Sequence, residues 1–263
     1  AKALIGLGMV YRNSSQYETA LEQYKQVVSM MKGTEYAEEA LMAIESIYQK
    51  LGKPEKYLEY VEGNRLAADK SDAEKEDMYF NTAEQLFLAS NYTQAIQSVE
   101  KYLGEYPEGG RKAQAYFYLA ESYRAVGERE KACDAYSEVI RLASEGSFVE
   151  AAMLAYAETS YSLEHFQDSY SGYRLLSEKT RFDVNRDAAL LGMMRSAYRA
   201  KDYDSAIESA ITVAGGKFGD DIIREAKYVK AKSLMATSRR TEAYLVFNDI
   251  KSQSATAEGA EAC

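Results

Sequence analysis

Apolar and polar residues follow helical spacing along almost the whole chain. Near the start, the apolar or small positions are Leu4, Leu7, Gly8 and Tyr11. Further along, the same spacing is filled by Tyr116, Leu119, Ala120 and Tyr123. The spacing i, i+3, i+4, i+7 places such residues on one face of an amphipathic helix. The pattern therefore predicts a chain built from amphipathic α-helices.

Residues with small side chains recur at a fixed interval along the chain. Ala95 and Ala132 are 37 residues apart, and the 74 residues from Ala132 to Ala206 are twice 37. The step from Tyr57 to Ala95 is longer by one, at 38. The residues at this position are Ala20, Tyr57, Ala95, Ala132, Ser169, Ala206 and Ala243. A fixed period of this length is typical of a repeat solenoid, in which each unit packs only on its neighbours.

The period divides the chain into seven units, each predicted to hold a first helix (A) and a second helix (B). The predicted units are 1–37, 38–75, 76–112, 113–149, 150–186, 187–223 and 224–260. The predicted A helices cover 1–13, 36–51, 74–89, 111–126, 148–163, 185–200 and 220–237. The predicted B helices cover 17–31, 54–68, 93–105, 129–144, 166–179, 203–214 and 240–252. Residues 261–263 would begin a truncated eighth unit, and the charged segment 62–76 is a candidate hinge. We expect the chain to be part of a longer array, because neither end carries a polar capping helix.

The order of residues in the first unit resembles the tetratricopeptide repeat. The residues that carry the resemblance are Leu4, Leu7, Gly8, Tyr11, Tyr17, Ala20 and Tyr24, joined later by 203–207 and Pro107. The resemblance covers essentially the whole chain. It implies an all-α, right-handed superhelical solenoid of helix-turn-helix repeats with a period of about 37. The long period, with an A helix that opens as 111–116, resembles tetratricopeptide-repeat proteins of the bacterial envelope. A periplasmic or envelope-associated location is implied, with the cytoplasm as the alternative.

The resemblance also implies where a partner would bind. We number repeat positions from the first residue of each unit. In this family helix A lines the concave face, and positions 2, 5, 9 and 12 point into it. Candidate binding residues are Phe80, Glu84, Phe87, Phe117, Glu121, Arg124, Glu158, Tyr161, Arg195 and Tyr198. At position 9, three successive units carry glutamate and the next two carry Arg195 and Lys232. The charge at this position therefore changes from negative to positive along the chain. Two alternatives stay open: the apolar residues could complete the core between repeats, and the charges could be ordinary surface charges.

Charge and composition narrow the classes of partner. The chain carries 32 basic and 41 acidic residues, a net charge of −9, which disfavours nucleic acid or an anionic membrane as the main partner. No apolar run reaches the 18 residues of a membrane-spanning helix. The two cysteines, Cys133 and Cys263, lie far apart, so an internal disulfide is not expected. His165 is the only histidine and is predicted to lie in a turn, so no zinc site or catalytic pair is indicated.

The predicted function is therefore a non-catalytic protein–protein interaction scaffold without a cofactor or metal. It would bind a peptide or a partner domain on the concave face. Two alternatives remain, namely end-to-end homo-oligomerisation and a spacer segment of a larger multidomain protein. An enzyme is the least favoured class.

Overall fold

A computed structural model describes residues 1–64, 70–143 and 146–251. These residues form fourteen α-helices and no strand. The A helices are α1 (Lys2–Asn13), α3 (Glu35–Lys50), α5 (Asp72–Leu88), α7 (Lys112–Ala125), α9 (Ser147–Ser162), α11 (Asp183–Arg199) and α13 (Asp220–Ala236). The B helices are α2 (Tyr17–Met30), α4 (Pro54–Asn64), α6 (Tyr92–Glu105), α8 (Arg129–Leu142), α10 (Phe166–Lys179), α12 (Tyr203–Ala214) and α14 (Arg240–Lys251). The predicted all-helical repeat architecture is thereby confirmed.

The chain divides into two compact units, Ala1–Gly127 (unit 1) and Glu128–Cys263 (unit 2). Helices α1 to α7 pack in sequence order within unit 1, and α8 to α14 do so within unit 2. The candidate hinge at 62–76 stays a prediction: its residues 65–69 lie outside the described chain. Around that gap, Lys75 Nζ on α5 lies 3.1 Å from Glu62 Oε1 on α4. The predicted eighth unit and Cys263 also lie outside the described residues.

Three repeat positions form the packed interior of both units. Position 20 is fully buried in six units, at Ala20, Ala95, Ala132, Ser169, Ala206 and Ala243. Position 8 of the A helices is buried where it is small, at Gly8, Ala83, Ala120, Ala157 and Ala231. Position 27 is buried at Val27, Tyr102, Val139, Leu176, Val213 and Ile250. Small side chains let neighbouring helices approach closely, and the larger residues fill the remaining space.

Every turn from an A helix to its B helix contains one residue with a left-handed backbone, at repeat position 15. These residues are Ser15, Gly52, Ser90, Gly127, Glu164, Lys201 and Ser238. In six of these turns the next backbone N–H donates to a carbonyl in the last turn of helix A, as His165 N to Ser160 O at 2.9 Å and Asp202 N to Ala197 O at 3.0 Å show. This bond satisfies a carbonyl that the helix end would leave unpaired. Within each unit, the repeated turn fixes how an A helix is joined to its B helix.

Candidate functional site

The A helices of unit 2 carry a groove of about 660 Å³. Helices α9, α11 and α13 follow one another in the packing, and α10 contributes one residue to the lining. The lining residues are Leu154, Glu158, Tyr161, Tyr173, Ala188, Leu191, Gly192, Arg195, Tyr198, Arg199, Glu225, Tyr228 and Val229. All four binding residues predicted in this unit are therefore brought together. We call this surface the unit 2 groove.

Two of its tyrosines are held by aromatic residues that begin the B helices. The ring of Tyr161 meets that of Phe166 edge to face, with centroids 5.2 Å apart. Tyr198 meets Tyr203 in the same manner at 6.4 Å. Both groove tyrosines are half-buried, and edge-to-face pairs are a favoured aromatic geometry. These contacts position large, partly apolar side chains along the groove.

The ring of Tyr173 packs against the A helix α11. A Cβ atom at Gly192 would lie 2.5 Å from Tyr173 Cδ2 and Cζ, so only glycine fits beneath the ring as it stands. Tyr173 is buried, and this burial raises the pKa of its hydroxyl to about 12, with a smaller contribution from the Glu158 carboxylate. The phenol is therefore neutral at physiological pH. It presents the groove with an aromatic surface and a hydrogen-bonding hydroxyl.

An ion pair joins the second and third A helices of the groove. Arg195 Nε donates to Glu225 Oε1 and Arg195 Nη2 donates to Glu225 Oε2, each at 2.7 Å. This two-point contact raises the pKa of Arg195, mainly through the hydrogen bond to the carboxylate. The sequence predicted a basic contribution from Arg195 to the groove. The structure instead shows its charge balanced by Glu225, a position 2 residue that the sequence analysis did not select.

Glu158 is the groove's exposed acidic residue. Among the described residues, no lysine or arginine nitrogen lies within 4.0 Å of its carboxylate. Tyr161 follows it by three residues on α9, so the two side chains lie on the same helix face. The carboxylate therefore stands beside an aromatic ring with its charge uncompensated by an ion pair.

Four of the six candidates in unit 1 contact a residue that the sequence analysis missed, Tyr118: they are Phe80, Glu84, Phe87 and Phe117. Its hydroxyl donates to Glu84 Oε1 at 2.6 Å and accepts from Gln114 Nε2 at 2.7 Å. Its ring stacks on Phe87 with centroids 4.7 Å apart. Tyr118 occupies repeat position 6, the position of Gly192 and Val229 in the unit 2 groove. The period alone could have identified this position.

The remaining unit 1 candidates differ in accessibility. Phe80 is only 2% exposed and packs on Tyr102 at 5.4 Å, so it belongs to the core rather than to a contact surface. Phe117 is half-buried. Glu121 is ion-paired with Arg124 on the same helix. Phe80, at repeat position 5, therefore fits the alternative in which the apolar residues complete the core between repeats.

Other chemically capable groups lie apart from the groove. His165 is exposed and directly precedes α10, in the turn after α9 where the sequence placed it. Cys133 is buried, its sulfur lies 3.2 Å from Ser160 Oγ, and burial raises the pKa of its thiol. Over the described ranges, no three His, Cys, Asp or Glu side chains come together as a metal site would require. No helix there has both the length and the apolar character needed to cross a membrane.

Residues 114–145 match the tetratricopeptide repeat family. No curated protein matches the chain. Among solved structures, the C-terminal part of a TPR repeat-containing protein from Cytophaga hutchinsonii is 15% identical, with 97% of each chain covered and a TM-score of 0.44. Pseudomonas aeruginosa pilF is 18% identical over 85% of this chain and 95% of its own, with a TM-score of 0.40. A tetratricopeptide repeat protein from Parabacteroides merdae is 15% identical over 95% of this chain and 92% of its own, with a TM-score of 0.36.

The family match covers all of α8 and all but the first two residues of α7. All the other helix pairs repeat its left-handed turn residue, and four of those six repeat both of its small buried positions. Residues 114–145 thus match the tetratricopeptide repeat in sequence, and the described chain has the architecture of an array of such repeats.

Proposed function

We propose that the chain is a non-catalytic protein-interaction scaffold that binds a peptide segment of a partner protein in the unit 2 groove. The observation that carries the proposal is the groove itself, about 660 Å³ lined by four tyrosines and several aliphatic side chains. Binding pockets combine such apolar and aromatic walls with a few placed polar groups. Here the polar groups are Glu158 and the Arg195–Glu225 pair.

The groove suits a peptide better than a reactive substrate. Tyrosine side chains provide large contact areas at a low cost in side-chain entropy, which is why they are enriched where proteins bind. Arg195 and Glu225 hold each other in a two-point contact and thereby stabilise the groove wall. The tyrosines therefore supply contact area for a peptide, and the fixed ion pair supplies polar groups that orient it.

The setting of the partner is proposed from the resemblance of the long repeats to bacterial envelope proteins. On that basis the partner would lie in the bacterial periplasm or envelope. Fractionation of the source cells with an antibody against the chain tests this placement. Recovery with the cytoplasmic fraction would contradict it.

The binding proposal is tested by filling the groove from its exposed side. Ala188 lines the groove and is exposed, so Ala188→Tyr adds a ring to the groove without entering the core. Ser171→Tyr is the matched control, because Ser171 is exposed on α10 and does not line the groove. Both variants and the parent chain would be compared for helicity by circular dichroism. They would then be immobilised and used to capture proteins from a native extract.

The proposal expects proteins that bind the parent chain and Ser171→Tyr but are lost from Ala188→Tyr. Capture that is unchanged by Ala188→Tyr would contradict binding in this groove. Capture of nothing by the parent chain would favour the spacer alternative. A mass in light scattering that rises with protein concentration would favour self-association instead.

A further inference from the structure

We propose that the unit 2 groove recognises a basic side chain, a lysine or arginine of the bound peptide, with Glu158 as its counter-ion and tyrosine rings as its walls. The inference rests on the proposed function, because it specifies the ligand chemistry of the same groove. It commits to one occupant, a peptide segment with a positive charge beside apolar residues.

The charges of the groove leave one carboxylate for a ligand. Four charged residues line it: Glu158, Arg195, Arg199 and Glu225. Arg195 and Glu225 neutralise each other through two hydrogen bonds of 2.7 Å. The Arg199 guanidinium lies over the Phe166 ring, 4.8 Å from its centroid, and also borders a separate depression beside the α9–α10 turn. Of the two carboxylates, Glu158 is the one without an ion pair among the described residues.

The aromatic lining adds to the attraction for a cation. A ring face carries partial negative charge and attracts ammonium and guanidinium groups within about 6 Å of its centre. The chain itself provides an example, because Lys232 Nζ lies 5.6 Å from the ring centre of Tyr228, a groove residue. Tyr161 stands one helical turn after Glu158, so a cation near the carboxylate would also meet this ring.

The field of Glu158 extends to the buried tyrosine of the groove. After burial itself, this carboxylate is the next cause of the raised pKa of Tyr173. A charge that acts on the Tyr173 hydroxyl also acts on any ligand group placed between the two. Arg195 acts on the same hydroxyl with the opposite sign, so the negative field is local to Glu158. There a carboxylate stands beside aromatic surface, which is complementary to a lysine or arginine side chain.

The test uses a library of octapeptides with blocked ends, in which each position is varied over all amino acids. The chain, its Glu158→Gln variant and a Glu178→Gln control would be screened in parallel. Glu178 is exposed on α10 and does not line the groove, so the control removes the same charge elsewhere. We expect the parent chain and the control to select lysine or arginine at one position, and Glu158→Gln to lose that selection. For a single selected peptide, Glu158→Gln should raise Kd by about two- to fivefold, as loss of one exposed charge contact implies.

The outcomes separate this inference from the function on which it rests. Selection of acidic or purely apolar residues, with binding abolished by Ala188→Tyr, would overturn the basic-ligand inference and leave peptide binding intact. Selection of lysine or arginine that persists in Glu158→Gln would also overturn it. If no library peptide binds the parent chain, both the inference and the peptide-binding function fail.

Discussion

The ring of Tyr173 on α10 occupies the space that a side chain at position 192 on α11 would need. A Cβ atom at Gly192 would come within 2.5 Å of three ring carbons, closer than real Cβ atoms approach a neighbour. Tyr173 is 9% exposed, and both residues line the unit 2 groove. The packing of two helices and the shape of the groove thus depend on the same contact.

Gly192→Ala should destabilise the chain by about 1–2 kcal/mol, because the added methyl displaces the Tyr173 ring and overpacking outweighs the gain in helix propensity. Gly6 is the matched control, since it holds the same repeat position, is exposed and would place its Cβ atom more than 4 Å from any neighbour. Gly6→Ala should therefore stabilise by about 0.5–1 kcal/mol. Urea unfolding followed by circular dichroism measures both changes. A stabilising Gly192→Ala would contradict the packing argument.

A buried pair of hydroxyls replaces a small apolar contact in one repeat. Ser169 Oγ donates to the Ala157 carbonyl at 2.9 Å and lies 2.8 Å from Ser196 Oγ, so the proton in the second bond comes from Ser196. Ser169→Ala would leave the buried Ser196 hydroxyl without this partner, at an expected cost of about 1 kcal/mol.

Removing both hydroxyls with Ser169→Ala and Ser196→Ala should recover part of that loss, because no buried donor is then left unpaired. Ser171→Ala, a change of the exposed serine on the same helix, should alter stability by less than about 0.5 kcal/mol. Urea unfolding would be measured for the parent chain, Ser169→Ala, Ser196→Ala and the double variant, which form a double-mutant cycle, and for the Ser171→Ala control. An additive double variant would show that the two hydroxyls do not stabilise each other.

Five of the seven A-to-B turns place a residue other than glycine in the left-handed backbone region. Glu164 has φ of 62°, where a side chain costs about 1 kcal/mol relative to glycine. Glu164→Gly should therefore raise stability by about 0.5–1 kcal/mol, although glycine also increases the entropy of the unfolded chain. Gly127, with φ of 85°, offers the reverse change, and Gly127→Ala should destabilise by a similar amount. Thermal unfolding measures both, and shifts of the same sign would contradict the turn assignment.

The buried phenol of Tyr173 makes stability sensitive to alkaline pH. Its folded pKa of about 12 exceeds the ordinary value of 10.0, so deprotonation is harder in the folded chain. The stability linked to this group is fully present below pH 10 and is lost as pH rises from 10 through about 12. Tyr173→Phe keeps the ring over Gly192 and removes the hydroxyl, so it should lessen this alkaline loss.

Absorbance at 295 nm, which reports tyrosinate, measures the titration directly. The difference between the parent chain and Tyr173→Phe should be a single late step above pH 11, because burial holds the phenol neutral. Urea unfolding at pH 8 and pH 10.5 measures the effect on stability. A Tyr173 step centred near pH 10 would show that the phenol is in contact with water.

The groove was partly predictable from periodicity. Repeat positions 9 and 12 select Glu158, Tyr161, Arg195 and Tyr198, and all four line the unit 2 groove. The contribution of Tyr173 was not predicted, because a B-helix residue reaches the groove only through a gap left by Gly192. The core location of Phe80 was one of two alternatives, and it depends on Tyr102 and Tyr118, whose rings surround it.

The sequence by itself determined the helix pairs, their period and the small residues at their contacts. These features are encoded in spacing, because helical periodicity is local and a repeat packs on neighbours like itself. Only the tertiary structure decided which charges remain available and which rings are exposed. Arg195 and Glu225 are 30 residues apart in the chain, yet they neutralise each other, while Glu158 has no cation within reach among the described residues. Such outcomes depend on distances of a few ångströms between side chains of different repeats, which residue spacing does not specify.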